Sequence, residues 1–250
     1  MGFRFDGISS DAMGIKTRMD TESRIPDLRN QTEKISGKHG IYDFGETFSE
    51  RIIEITCFIP PGNTERELLT VKDNLAGWLN PDKGLCPLIL DSEPDRVYYA
   101  RISDGLVYER MVRTTGTFDL TFFCPDPFAY ALEDEVFSLN QSGDITRIKG
   151  NCDSLPVLEV VGSLLDTSQQ IRIGINDEVM EVCGPLGASD VLVVDTSDMT
   201  VTLKQSGENA LHNLSNFVFP PLRKGTNTIT IGVTGGSFAE LTVRARSRWL

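Results

Sequence analysis

Short runs in which apolar and polar residues alternate, separated by Gly, Pro, Asn and Asp, recur along most of the chain. Ile53, Ile55, Cys57 and Ile59 alternate with a second row that is partly apolar itself, Ile52, Glu54, Thr56 and Phe58, which predicts a largely buried strand. Beyond residue 150 such runs are short and nearly evenly spaced. We predict strands there at Val157–Val161, Gln170–Ile175, Glu178–Val182, Val191–Asp195, Thr200–Lys204, Phe217–Phe219, Thr228–Val233 and Phe238–Arg246.

A single segment has a helical period. Thr64 and Glu67 have the spacing of a capping box, and apolar residues follow at helical intervals up to Trp78 and Leu79. This predicts one amphipathic helix over residues 64–79. Further strands are expected at Leu85–Leu90, Arg96–Ile102, Leu106–Arg113 and Phe118–Cys124.

These elements predict a mainly β protein with two domains. We predict that residues 1–135 form an α+β domain of antiparallel strands with one helix, and that residues 136–250 form a β-sandwich of the jelly-roll type. The polar stretches Glu133–Glu135 and Asn140–Asp144 have the composition of a boundary region.

The segment from Arg18 to Lys38 carries nine charged residues and few apolar ones. Such a composition does not form a core by itself. We expect an extended arm or a long hairpin that becomes ordered against neighbouring subunits.

Charge argues against nucleic acid as a ligand. The chain has 24 Lys and Arg residues against 36 Asp and Glu residues, a net charge of −12. Non-specific nucleic-acid binding requires clustered basic residues. The densest basic cluster, Arg244, Arg246 and Arg248, is interpreted as a solvated or interface face of one strand. Apolar runs are too short for a membrane helix and no secretory signal is evident, so we expect a soluble, cytoplasmic protein with no membrane insertion.

The sequence lacks the common motifs of catalytic and phosphate-binding sites. Phosphate-binding glycine motifs and G-x-S-x-G do not occur, and the two histidines, His39 and His212, read as loop residues. The carboxylate pairs Glu93 with Asp95 and Asp177 with Glu178 fall in expected turns. We therefore predict no catalytic site, no cofactor and no metal.

The cysteines number five, and no C-x-x-C pair occurs among Cys57, Cys86, Cys124, Cys152 and Cys183. This composition predicts reduced, mostly buried thiols. Among the aromatic residues, Trp78 is expected in the core. Phe217, Phe219 and Trp249 form a candidate sugar-binding face, although a core strand stopped by prolines is the simpler interpretation of the first two.

Several short motifs follow one another in an order that resembles a known protein family. An N-terminal F-x-F strand is followed by the charged arm, by the helix end Gly77-Trp78-Leu79, by F-x-C-P-D-P-x-x-Y at residues 122–130 and by L-x-x-G-x-N-x-I at residues 222–229. Over nearly the whole chain this order resembles the distal tail protein (Dit) family of long-tailed, non-contractile bacteriophages.

The resemblance implies a structural role in the virion. Family members form a hexameric ring at the end of the tail tube, with an outward galectin-like or carbohydrate-module-like sandwich. The implied partners are the tail tube protein, the tail-tip protein and receptor-binding or adsorption proteins, with DNA passing through the lumen. Ile41, Tyr42 and Phe44 are the candidate subunit interface. A carbohydrate-binding adhesion module and, more remotely, a wall-degrading hydrolase are the alternatives.

Overall fold

The computed structural model describes residues 2–19, 25–61, 64–105, 109–112 and 115–250. The chain divides into two compact units, Met1–Ala129 with Leu250, and Tyr130–Trp249. The described residues contain one α-helix and many antiparallel strands, which confirms the predicted mainly β fold class.

The first unit is built on an antiparallel sheet. Its elements are β1 (Phe3–Phe5), β2 (Ile8–Ser9), β3 (Lys16–Arg18), β4 (Leu28–Glu33), β5 (Tyr42–Phe48), β6 (Arg51–Ile59), α1 (Glu65–Trp78), a 3₁₀ helix (Pro81–Lys83), β7 (Cys86–Leu90), β8 (Arg96–Ile102), β9 (Glu109–Val112) and β10 (Thr115–Cys124). The strands of the sheet follow the order β2-β1-β7-β8-β10-β6-β3, with β9 beside β10, while β4 and β5 form a separate two-stranded sheet.

Helix α1 is the predicted helix and covers the core of the first unit. Thr64 is its N-cap, with both hydrogen bonds of the capping box to Glu67 present. At the other end Trp78 is buried against two aromatic residues of β1, Phe3 and Phe5. Of the strand predicted at Leu106–Arg113, residues 109–112 form β9, and residues 106–108 and 113 lie outside the described residues.

The second unit is a two-sheet sandwich. Its elements are β11 (Ala129–Ala131), β12 (Val136–Leu139), β13 (Gly143–Arg147), β14 (Val157–Ser163), β15 (Gln170–Ile175), β16 (Glu178–Cys183), β17 (Val191–Asp195), β18 (Thr200–Leu203), a 3₁₀ helix (Leu211–Asn213), β19 (Gly225–Thr234), β20 (Ser237–Arg244) and β21 (Arg248–Trp249). One sheet has the order β12-β20-β14-β17-β18 and the other β13-β19-β15-β16, and β21 pairs with β11. Buried apolar side chains from both sheets form one core cluster.

One strand predicted in this unit is wrong. Phe217–Phe219 is not a strand, because the preceding Asn216 places its side-chain amide, and not its backbone, against the edge of β16. The stretch Asn140–Asp144 includes the turn that joins β12 to β13.

The basic cluster near the end of the chain does not alternate along one strand. Arg244 ends β20, Arg248 belongs to β21, and Arg246 between them has a left-handed backbone, with φ of 47°. Its guanidinium binds both carboxylate oxygens of Asp195 at 2.8 and 2.6 Å. The described part of the chain contains no helix long and apolar enough to cross a membrane.

Candidate functional site

The β4–β5 pair with its connection, residues 28–48, forms a hairpin (called the hairpin below) with no strand of another sheet bonded to it among the described residues. The pairing runs from Leu28 opposite Phe48 to Glu33 opposite Tyr42. Every residue of both strands is exposed. The later part of the predicted charged arm, from residue 28 on, thus lies in a long hairpin, one of the two forms that its composition allowed, while Arg18 ends β3 and residues 20–24 lie outside the described residues.

A bulge bends the hairpin near its centre. Asn30 lies opposite Glu46 and Thr32 opposite Asp43, so β5 holds one residue more than β4 between these pairs. Gly45 has φ of 98° at this place, a conformation that glycine adopts without the strain of a Cβ. The bulge increases the local twist and so sets the direction of the outer half of the hairpin.

The predicted interface residues lie on the outer half of the hairpin. The exposed fractions are 52% for Ile41, 41% for Tyr42 and 65% for Phe44. The rings of Tyr42 and Phe44 are stacked with centroids 6.5 Å apart, and Lys38 Nζ lies 3.4 Å from the centroid of Tyr42. Together they present an aromatic surface with one cation on its rim.

Further apolar residues of the hairpin are exposed that the sequence analysis did not single out, namely Leu28, Ile35 and Phe48. They were overlooked because charged residues surround each of them in the sequence, which hides the apolar content of the segment. At the base of the hairpin the ring of Phe48 meets that of Phe128 edge-on, with centroids 6.0 Å apart. These exposed apolar side chains make the hairpin a candidate protein interaction site.

The three residues of the candidate ligand face have different environments. Phe217 has an exposed fraction of 68%. Phe219 is partly buried and packs against the core cluster of the sandwich. Trp249 is partly buried in β21, which pairs with β11. Among these aromatic rings, Phe217 offers the largest free surface.

The carboxylate that the sequence placed in a turn at Glu93 has a structural role. Glu93 is buried, accepts a hydrogen bond from the Tyr98 hydroxyl at 2.8 Å and binds Arg96 Nη1 at 3.1 Å. Burial, followed by the bond to Glu93, raises the pKa of Tyr98. This group is closed off by its own partners and presents no free acid or base to a substrate.

The remaining candidates lie at the surface or in local contacts. His39 is exposed, and the carbonyl of His212 in the second 3₁₀ helix accepts a bond from Cys183 Sγ at 3.5 Å. The side chain of Asp177 pairs with Arg223. All five cysteines are free thiols, and four of them are buried. Within the described ranges no three His, Cys, Asp or Glu residues form a group that could hold a metal ion.

Known proteins resemble the chain in sequence pattern and in fold. A family model described as the phage tail protein RIFT-related domain matches residues 12–124, and one for the C-terminal domain of siphovirus-type tail components matches residues 149–249. No curated protein matches the chain.

Among solved structures, the Dit protein of phage SPP1 is 17% identical, with a TM-score of 0.77, 100% of this chain covered and 99% of that one. A chain of the phage P2 baseplate is 11% identical over 100% of this chain and 99% of its own, with a TM-score of 0.49. The likeness to the SPP1 protein covers both units and concerns the fold.

Each of the two family models falls within one compact unit, and together they match most of the sequence. The structure adds an exposed apolar hairpin on the first unit and a closed sandwich in the second. The chain therefore belongs to the siphophage tail components of the distal tail protein (Dit) family.

Proposed function

We propose that this chain forms a six-membered ring in the virion, which joins the tail tube to the tail-tip and adsorption proteins. The solved SPP1 relative is described as a paradigm of the hub adsorption apparatus of phages that infect Gram-positive bacteria. In this proposal the subunits assemble in the host cytoplasm, the ring transforms no substrate, and DNA passes through its lumen.

The observation that carries this proposal is the hairpin. Its apolar residues contribute nothing to the core of the first unit, yet Ile41, Tyr42 and Phe44 would each bury a large apolar surface on contact with a second subunit. A closed ring needs one surface on each subunit that fits a different surface on the next. A projecting hairpin supplies the first of these surfaces.

The charge of the chain suits a channel for DNA. A net charge of −12 per subunit becomes sixfold larger in a ring, so the assembly as a whole repels the phosphate backbone. Repulsion of this kind prevents DNA from binding to the wall during its passage.

The mass of the assembly tests the proposal. Light scattering and negative-stain microscopy are applied to the full chain, alone and mixed with its tail-tip partner. We expect a mass of about 166 kDa, six times the 27.7 kDa of one chain, and an annulus with sixfold symmetry. A particle of one subunit in the presence of that partner would contradict the ring.

A pair of variants tests the role of the hairpin. The double variant Tyr42→Ser with Phe44→Ser is expected to keep its circular dichroism spectrum and melting temperature and to lose the ring. Phe217→Ser is the matched control, because it removes an equally exposed ring from the second unit. If the double variant assembles as well as the control, the hairpin is not the subunit interface.

A further inference from the structure

A charged side chain, that of Arg147, is buried inside the sandwich. Arg147 ends β13, lies opposite Gly225 of β19 and shares the inward face of its strand with Ile145 of the core cluster. Its exposed fraction is 1%. Nη2 donates a hydrogen bond to the carbonyl of Cys152, whereas Nε and Nη1 have no hydrogen-bond partner among the described residues. Two of the three nitrogens of this cation therefore remain able to donate to a ligand.

The carboxylates around Arg147 do not neutralise it by direct contact. Among the described residues, no carboxylate oxygen lies within ion-pair distance of its guanidinium. The carboxylate of Glu135 accepts hydrogen bonds from three other groups, namely the backbone N–H groups of Ile148 and Lys149 and the hydroxyl of Ser247. A buried charge that lacks a counter-charge destabilises the fold strongly, so this cation calls for an anion from outside the chain.

A second cation lies near the first and adds to this imbalance. Arg248 of β21 donates through Nε to the carbonyl of Asp153 at 2.7 Å. Burial, and to a smaller degree the charge of Arg248, lowers the pKa of Arg147, although the carboxylates of Asp153 and Glu135 act in the opposite direction. A guanidinium keeps its proton at neutral pH even so, and the cost of its burial stays with the folded chain.

A buried hydroxyl without a partner belongs to the same end of the sandwich. Ser154 has an exposed fraction of 0%, and its Oγ has no hydrogen-bond partner among the described residues. It follows Cys152, whose carbonyl binds Arg147, by two positions. Ser154 also forms a β-bridge to Leu222, three positions before the Gly225 that lies opposite Arg147. The topology thus brings the hydroxyl and the guanidinium to one loop region.

This loop is packed tightly against the end of the chain. Asn151 N–H and Cys152 Sγ both donate to the carbonyl of Arg248, at 3.1 and 3.3 Å. Gly150, with φ of 86°, approaches the same residue so closely that a Cβ would lie 2.6 Å from its carbonyl oxygen. A ligand that reaches Arg147 in such surroundings has to be small.

We propose that Arg147 and Ser154 bind a monovalent anion of halide size inside the second unit. Arg147 Nε–H, Arg147 Nη1–H and the Ser154 hydroxyl are three donors without partners among the described residues, and a halide accepts from several donors while it neutralises the guanidinium. A water molecule fits less well, because it satisfies the hydrogen bonds and leaves the charge uncompensated. The proposal concerns the second unit and does not depend on ring formation.

Calorimetric melting of the full chain in two salts tests this site. The chain is unfolded in sodium chloride and in sodium gluconate, both at about 0.3 M, so that charges are screened equally and only one anion is small enough to enter. We expect the transition in which the second unit unfolds to lie about 3 °C higher in chloride, because a ligand that binds only the folded state stabilises it by mass action.

Three variants assign the shift to this site. Arg147→Met removes the cation but keeps an unbranched apolar side chain, and it should melt at the same temperature in both salts. Ser154→Ala should reduce the chloride shift without abolishing it, because one of the three donors is lost. Arg172→Met is the matched control: its side chain is 56% exposed on β15, where it pairs with Glu181 at 3.0 Å, and the variant should keep the full shift.

A crystal grown in sodium bromide gives a readout that needs no variant and decides the matter if Arg147→Met fails to fold. We expect an anomalous bromide peak in contact with Nε and Nη1 of Arg147. Equal melting of the wild type in both salts, or a chloride shift that persists in Arg147→Met, would overturn the proposal. Electron density beside Arg147 with no anomalous signal would overturn it as well and assign the position to water.

Discussion

The side-chain amide of Asn176 donates a hydrogen bond to Oδ1 of Asn227 at 2.9 Å and so joins the turn between β15 and β16 to the beginning of β19. Asn227 is fully buried and satisfies all four of its hydrogen-bonding positions. Its Oδ1 also accepts from Arg223 N–H, and its Nδ2 donates to the carbonyls of Arg223 and Gly225. This network explains the asparagine of the L-x-x-G-x-N-x-I motif.

Replacement of this asparagine is expected to destabilise the second unit strongly. Asn227→Ala removes four hydrogen bonds of a buried side chain and takes these partners from the backbone groups of Arg223 and Gly225, so we expect a loss of about 3 kcal/mol in the free energy of unfolding. Urea denaturation followed by circular dichroism measures the change. Asn140→Ala, an exposed asparagine, is the control and should change stability by less than about 0.5 kcal/mol. A loss below about 1 kcal/mol for Asn227→Ala would show that the network matters little.

Trp78 anchors helix α1 in the first unit. Its ring is stacked on Phe3 with centroids 5.5 Å apart and an interplanar angle of 7°, and its Nε1–H donates to the carbonyl of Phe5 at 2.9 Å. Trp78→Ala is expected to cost about 3–5 kcal/mol of stability, because it leaves a cavity and an unpaired carbonyl. Leu69→Ala on the same helix is the matched control, since that side chain is 59% exposed. Chemical unfolding measures the free energy of unfolding of both variants. Equal losses in the two variants would contradict the buried position of Trp78.

The buried thiols are expected to resist alkylation in the folded chain. Burial raises the pKa of Cys57 and of Cys124 to about 12, so the reactive thiolate is scarce at pH 8. Cys152 is only half-buried and should be labelled first by iodoacetamide. Peptide mass spectrometry after timed labelling measures the order. Early modification of Cys57 or Cys124 without denaturant would be inconsistent with this packing.

The capping box of α1 is expected to make stability depend on pH. Hydrogen bonds from the backbone N–H and the hydroxyl of Thr64 lower the pKa of Glu67. A carboxylate with a lowered pKa in the folded state stabilises the fold above its unfolded pKa, and this contribution is lost as the pH falls through the folded value. Thr64→Ala should therefore destabilise the chain more at pH 7 than at acidic pH.

Thermal unfolding of the wild type and of Thr64→Ala at a series of pH values tests this dependence. A difference between the two proteins that stays constant as the pH falls from 7 through the usual carboxyl range would show that Glu67 takes no part. Thr70→Ala serves as the control, because Thr70 lies within α1 and bonds only to a backbone carbonyl of its own helix, that of Arg66.

Local patterns in the sequence predicted the elements that have a strong period of their own. The helix and most strands lie within a few residues of their predicted positions, because each alternating or helical run matches its burial in the fold. Strands β12 and β13 were not predicted. They alternate weakly, and their partners β20 and β19 lie far along the chain, where a local pattern carries no information.

The candidate sites show a similar division. A charged composition predicted a hairpin or arm near Tyr42 and Phe44, but the exposure of those rings depends on the absence of any packing strand among the described residues, which is a tertiary property. The same holds for Phe217–Phe219, where two phenylalanines beside prolines suggested a strand.

The arrangement of charges along the hairpin affects the tendency of an unassembled subunit to aggregate. Exposed apolar strands are prone to aggregate, and natural proteins protect them with charged side chains placed between the apolar ones. The hairpin has such gatekeepers on both strands and at its tip: Arg29, Glu33, Lys34, Lys38, Asp43 and Glu46. We therefore expect these charges to oppose aggregation of the free subunit, and in the proposed ring the exposed apolar side chains would be buried against a surface of matching charge.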